Sequence, residues 1–150
     1  MNIVIFPHAK PLRNGEPHPK NYPFWPELIN KLQNLGHNII QVGISGEPLL
    51  VDDVRMSLTI QELSDLIISC DLWIGVDSFG QHLGWSLNKQ GIAIFGQSDP
   101  LIFGHPENIN ILKSRSYLRE KQFWLWEQAD YNESAFVDPE VIINQLKIHW

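Results

Sequence analysis

Short unbroken apolar runs alternate along this chain with longer stretches whose apolar residues recur three or four positions apart. Asn2 to Phe6 is such a run, and so are Asn38 to Val42, Leu72 to Val76, Gly91 to Phe95 and Asn108 to Leu112. Runs of this length, rich in Ile and Val, predict strands buried on both faces, as in a parallel sheet. Between them Trp25, Leu28, Ile29, Leu32 and Leu35 share one helical face that starts near Asn21 or Tyr22 and stops at Gly36. Ile60, Leu63, Leu66, Ile67 and Cys70 form a second face, opened by Thr59-Ile60-Gln61-Glu62 with the spacing of a capping box. Asp77-Ser78-Phe79-Gly80 breaks the Leu72 run where another helix can begin, and Asp138-Pro139 opens a last helix through Ile148. Strand and helix in alternation predict an α/β fold, a three-layer Rossmann-like domain with a mainly parallel sheet.

Residues 1–150 give room for one domain, and no Pro/Gly linker divides them. The periodicity loosens after Lys113, so residues 113–150 read as a C-terminal extension in which Phe123, Trp124 and Trp126 crowd together. A hydrophobic content of 43% and a charged content of 19% are ordinary for a soluble protein, whereas six Trp are many. Any single indole is more often core than ligand contact. The net charge of −6 argues against nucleic acid as a partner, which needs clustered Lys and Arg. The single cysteine, Cys70, excludes an internal disulfide and reads as a buried, inert thiol. No apolar segment approaches the ~20 residues of a spanning helix and none resembles a signal peptide, so a cytoplasmic protein without a transmembrane segment is expected.

Candidate chemistry gathers where the predicted strands end. Ligands of open α/β sheets lie beyond the carboxyl ends of the strands, and a helix amino end there offers free amides to an anion. Asp77, Ser78, Phe79, Gly80, Gln81 and His82 occupy one such edge. The loop His8 to Asn21, with Lys20 near its end, follows the first strand; a loop of this length is either a ligand lid or a surface excursion. Gly43-Ile44-Ser45-Gly46-Glu47-Pro48 follows the second strand, and Glu47 is either a binding carboxylate or simply solvated. Together these groups suit a nucleoside diphosphate: Lys20 and a helix start for the phosphates, Glu47 for ribose hydroxyls, and the backbone from Met56 through Leu58 to Thr59 for a base. His82 alone is as well explained by packing or capping. The chain has no His or Cys spacing for zinc, no Gly-x-Ser-x-Gly elbow, no Gly-x-x-x-x-Gly-Lys loop and no dinucleotide fingerprint, so metal, hydrolase, kinase and dehydrogenase chemistry are set aside.

Two motifs make a family recognisable. Asp77-Ser78-Phe79-Gly80-Gln81-His82 matches a pattern Asp-Ser/Thr-Gly-x-x-His, and Phe95-Gly96-Gln97-Ser98-Asp99-Pro100 matches Phe-Gly-x-Thr/Ser-Asp-Pro. Lys20 ahead of Phe24-Trp25-Pro26-Glu27, and Gly46-Glu47, add support. Over residues 2–112 the chain resembles the nucleotide-sugar-binding C-terminal half of heptosyltransferase-like glycosyltransferases, family 9, of the GT-B fold. The resemblance implies that Lys20 binds the diphosphate, that Glu47 binds the ribose, and that the Asp-Ser turn with its His cradles phosphates and sugar. His8, Met56 and Leu58 belong to the same implied donor site. Phe79 departs from the family, standing where it has its first Gly.

A GT-B enzyme works across a cleft between two such domains, and the resemblance puts the acceptor-activating acid in the other one. Three readings follow. The chain is a transferase subunit that takes a nucleotide-diphosphate sugar as donor, needs no further cofactor, and completes its site with a second subunit or another copy of itself. Alternatively it is a stand-alone nucleotide-binding module. Last, it is an interaction protein working through Trp124 and Trp126.

Overall fold

A computed structural model describes residues 1–150. Six strands make one sheet: β1 (Asn2–Phe6), β2 (Asn38–Gly43), β3 (Val54–Met56), β4 (Leu72–Val76), β5 (Ile92–Phe95) and β6 (Ile109–Leu112). Their spatial order is β3-β2-β1-β4-β5-β6, and every neighbouring pair is parallel. The order reverses at β1, so loops after β1, β2 and β4 face one crevice.

Successive strand residues point to opposite faces, which divides the core in two. Ile3, Ile5, Leu72, Ile74, Val76, Ile92 and Ile94 meet α1 (Trp25–Asn34) and α5 (Pro139–His149) on one side. Val4, Phe6, Trp73, Ala93 and Phe95 meet α2 (Ile60–Ser69) and α3 (Phe79–Ser86) on the other. The predicted three layers are therefore present, and the C-terminal helix completes one of them. Pro26 opens α1, and Gly36 with φ +84° ends its turn in the left-handed region. Thr59 caps α2 by accepting from the Glu62 amide at 3.1 Å while Glu62 accepts from the Thr59 amide at 2.8 Å.

One strand and one α-helix lack a counterpart in the sequence reading. β3 has only three residues, none fully buried, and it pairs at the sheet edge with Gln41↔Val54 to Gly43↔Met56. α4 (Pro100–Phe103) is a single turn capped by Asp99, whose Oδ1 accepts from the Leu101 amide at 2.9 Å. No helix is long and apolar enough to cross a membrane.

The long loop after β1 is pinned at its ends. Trp25 Nε1 donates to the Pro7 carbonyl at 3.0 Å and the Ala9 amide donates to Asn21 Oδ1 at 2.8 Å. Tyr22, only 3% exposed, donates its hydroxyl to the Val137 carbonyl at 2.9 Å. Burial holds that phenol above its ordinary pKa. The C-terminal segment is thereby tied to the loop it packs against.

Candidate functional site

A cleft of about 850 Å³ opens at the carboxyl edge of the sheet. Its floor is the amino end of α3. Ser78 precedes the helix with extended backbone and its side chain makes no capping bond, so the first amides of α3 have no side-chain partner. Gly80 sits where a Cβ would lie 2.4 Å from the Phe6 ring. Its glycine is required for helix-to-strand packing, and that packing fixes where the α3 amides point.

Lys20 enters from the β1 loop. Its Nζ lies 3.0 Å from Asp77 Oδ2, an ion pair whose alignment makes no regular hydrogen bond, and 5.2 Å and 5.6 Å from the ring centres of Trp126 and Phe103. Asp77 is 3% exposed, and its Oδ1 accepts from Gln81 Nε2 at 2.6 Å. A buried carboxylate thus holds the lysine beside the open helix end. His18 lies alongside, its Nδ1 accepting from the Lys20 amide at 3.1 Å and its ring 5.1 Å from that of Trp126. Burial, reinforced by the Lys20 charge, lowers the His18 pKa to about 4, so this imidazole is neutral at pH 7.

Glu47 is placed by a residue that the sequence reading passed over. Gln41, fully buried in β2, donates from Nε2 to the Pro48 carbonyl at 2.8 Å and accepts from the Leu50 amide at 2.7 Å, which folds the turn back on the sheet. The Glu47 carboxylate then accepts from the Ile44 amide at 3.2 Å. It lies where a side chain on Gly43 would stand, 1.9 Å from the Cβ position. Gly43 therefore makes room for Glu47. Burial raises the Glu47 pKa, partly offset by the Ile44 amide and by His8, whose ring is 3.3 Å from the Pro48 carbonyl.

His8, Lys20, Glu47, Leu58, Asp77, Ser78, Phe79 and Gly80 all line this cleft. Gln81, Met56 and His82 do not line it. Gln81 is fully buried beneath, supporting Asp77 and donating to the Phe103 carbonyl at 3.3 Å. The Met56 sulfur packs beside Gly43. His82 turns to the outer face of α3, where its Nδ1 is 2.8 Å from Nε2 of His105, which stacks on Trp85 at 4.3 Å. Burial and His105 both lower the His82 pKa.

The second motif is structural. Arg115 grips Asp99 with two hydrogen bonds, at 3.0 and 2.7 Å, and holds its carboxyl below the usual carboxylate range. The Gln97 carbonyl accepts from Gln122 Nε2 at 2.9 Å and from the Arg119 amide at 3.0 Å, and Gln122 Oε1 accepts from the Asp99 amide at 2.9 Å. Residues 119–128 are thereby docked on the turn after β5 as a strap along the cleft. Trp124, Leu125, Trp126 and Glu127 of this strap form a wall that the sequence reading left outside the site. The clustering of Phe123, Trp124 and Trp126 was its only signal.

Residues 52–125 match the family profile of glycosyltransferase family 9 (heptosyltransferase). In fold the chain is similar to the ADP-heptose LPS heptosyltransferase II of E. coli, with 17% identity and a TM-score of 0.68 over 98% of this chain and 45% of that one. A family 9 glycosyltransferase from Veillonella parvula gives 17% identity and a TM-score of 0.71 over 97% and 45%. The dodecameric, iron-containing heptosyltransferase TibC of enterotoxigenic E. coli, solved with ADP-D-β-D-heptose, gives 16% and 0.65 over 98% and 46%. This chain gathers no group of three or more His, Cys, Asp or Glu side chains able to hold a metal ion. No curated protein sequence matches. The chain spans less than half the length of the solved structures it matches. In its sequence over residues 52–125, and in its fold over nearly all its length, it resembles one half of a family 9 glycosyltransferase of the heptosyltransferase kind.

Proposed function

We infer that this chain binds a nucleoside-diphosphate sugar in the cleft at the carboxyl edge of its sheet, as the donor-binding half of a glycosyltransferase whose site is completed by another domain, a second subunit or another copy of the chain. The observation that carries the reading is the α3 amino end, without a side-chain cap, opening into the 850 Å³ cleft beside Lys20. Amides and an ammonium directed at one place are complementary to a diphosphate. Glu47, folded against the end of β2, accepts ribose hydroxyls, and Leu58 with the backbone around it meets the base. The names of two relatives, which speak of ADP-heptose, agree with this class of ligand.

The chemistry is displacement at the anomeric carbon. As the bond to the diphosphate breaks, negative charge grows on the departing oxygen, and Lys20 and the α3 amides stabilise it more than they stabilise the ground state. Asp77 keeps Lys20 in place through the reaction. The base that activates the acceptor is assigned to the completing domain. A cytoplasmic location goes with this reading, since activated nucleotide sugars are made there.

A second reading, a stand-alone binding module, is favoured by Phe79, which is 56% exposed at the first helical position. The test incubates the chain with UDP-, ADP- and GDP-sugars, alone and with candidate partner proteins. Turnover that needs a partner supports the transferase half, and tight binding without turnover in any mixture supports the module. Absence of binding to every nucleotide overturns both.

A further inference from the structure

The strap of residues 119–128 is more elaborately built than a surface connection requires. Arg119 donates to the carbonyls of Gln122 at 3.1 Å, Leu125 at 3.4 Å and Trp124, and its guanidinium lies 3.6 Å from the ring centre of Trp126. Arg119 has no carboxylate partner, so the cation is spent on shaping the strap. Gln122 fastens the other side to the turn after β5. What this frame presents to the cleft is largely apolar and open: Trp124 is 53% exposed, with the Lys121 ammonium 5.2 Å from its ring centre, and Leu125 is 49% exposed. Leaving an indole half in water on a firmly held segment runs against the usual economy of burial unless something covers it.

The sheet order says what part of a ligand would do so. Glu47 follows β2, Lys20 follows β1, Ser78 follows β4, and the strap is anchored on the turn after β5. A nucleotide lying across the strand ends in that order meets Glu47 with its ribose and Lys20 with its diphosphate. The group beyond the diphosphate then arrives at the strap. Trp126 confirms the adjacency, since its ring centre is 5.2 Å from the Lys20 ammonium. Glu127 stands next to it, its Oε1 accepting from the Arg13 amide at 3.3 Å.

We propose that the strap is the sugar subsite: Trp124 offers its indole face to the C–H face of the transferred sugar, and Glu127 accepts hydrogen bonds from the sugar hydroxyls. This rests on the nucleotide-sugar reading of the cleft and adds to it the residues that discriminate a sugar nucleotide from the bare diphosphate. A flat apolar ring beside a carboxylate suits a pyranose, whose C–H faces are apolar and whose rim is a ring of donors.

The test is calorimetric titration of the full chain and its Trp124→Ala and Glu127→Gln variants with matched pairs: ADP and ADP-D-β-D-heptose, UDP and UDP-glucose, GDP and GDP-mannose. Both positions are at the surface of the strap, and circular dichroism checks that the fold is kept. For the pair that binds, each variant should weaken the sugar nucleotide about tenfold and leave the diphosphate within twofold of the unchanged chain. An equal loss for both ligands, or no loss for either, overturns the sugar subsite while leaving the nucleotide site standing. If the unchanged chain binds no member of any pair, the nucleotide reading itself fails and the subsite falls with it.

Discussion

Lys20 is held 3.0 Å from a carboxylate that is 3% exposed, and this arrangement decides what its removal does. The lysine neutralises Asp77 and also lends its charge to the cleft, so Lys20→Ala should act twice. Nucleoside-diphosphate affinity should fall by about 1–3 kcal/mol, read by titration calorimetry, as expected for one charge-assisted bond. Stability should fall by about 3 kcal/mol, read by denaturant unfolding, because a buried carboxylate loses its cation. Loss of affinity with unchanged stability would mean that Asp77 does not depend on the lysine. His18, beside it, gives a pH signature. In the unfolded chain it takes up a proton below about 6.5, whereas in the fold it does so only below about 4, so between those values the unfolded state binds more protons. Its contribution to stability is therefore present above pH 6.5 and is lost as pH falls toward 4. His18→Gln should flatten the melting temperature against pH in that window relative to the unchanged chain. At Glu47 burial raises the pKa, and the ribose contact proposed for it needs the carboxylate, so nucleotide affinity should weaken as pH falls through that raised value. Glu47→Gln should remove this pH dependence along with most of the ribose contribution.

At the scale of elements, what was legible in the sequence followed from periodicity and caps, and what was not followed from contacts far apart in the chain. β1, β4 and β5 are apolar on both faces, β2 is so apart from the buried Gln41, and α1 and α2 carry clean helical stripes, so their pattern specifies them. β3 is three residues of mixed polarity at the edge, stabilised by pairing with β2, and no local signal marks it. The strap is the same case on a larger scale: it has no regular element beyond a 3₁₀ turn at Trp126–Gln128, and its shape is set by Arg119, Gln122 and the Gln97 carbonyl. The edge of the cleft was legible because Asp77, Ser78, Glu47 and Lys20 flank predicted strands. Its far wall was not, because a segment more than forty residues later in the chain supplies it. Capping offers a control on this argument. Asp138→Ala removes the side-chain cap of α5, in which Oδ1 accepts from the Glu140 amide at 2.9 Å outside the cleft lining, and should cost about 1 kcal/mol in urea unfolding without altering nucleotide affinity. Arg119→Met should do the reverse in kind: faster amide hydrogen exchange confined to residues 119–128, since only that segment depends on the guanidinium. Exchange that accelerates evenly across the sheet would show that the strap and the core open together.

For the molecule as a whole the question is whether residues 1–150 unfold as one cooperative unit. α5 returns the chain to the α1 side of the sheet, so Ile142, Ile143 and Leu146 close a layer that would otherwise expose Leu28 and Leu32. The layer is sealed from within this chain, and cooperative unfolding without a partner is the expectation. The proposed ligand then has a calculable effect. It would touch the loops after β1, β2 and β4 together with the strap, surfaces brought together only in the folded state, so it binds the native form and not the unfolded one. At a free concentration of one hundred times its dissociation constant such a ligand adds about 2.7 kcal/mol. For a domain of this size each kcal/mol raises the melting temperature by roughly 2–4 °C. A shift of about 5–10 °C should therefore accompany saturation by the correct nucleotide sugar, read by calorimetric scanning of the chain alone. Its size relative to the shift from the bare diphosphate reports what the strap contributes. A partner domain that closes the cleft would raise both shifts by slowing ligand escape, whereas one that merely sits elsewhere on the surface would raise the melting temperature equally with and without nucleotide. Non-additivity between partner and nucleotide is thus the measurement that distinguishes a shared active site from simple association.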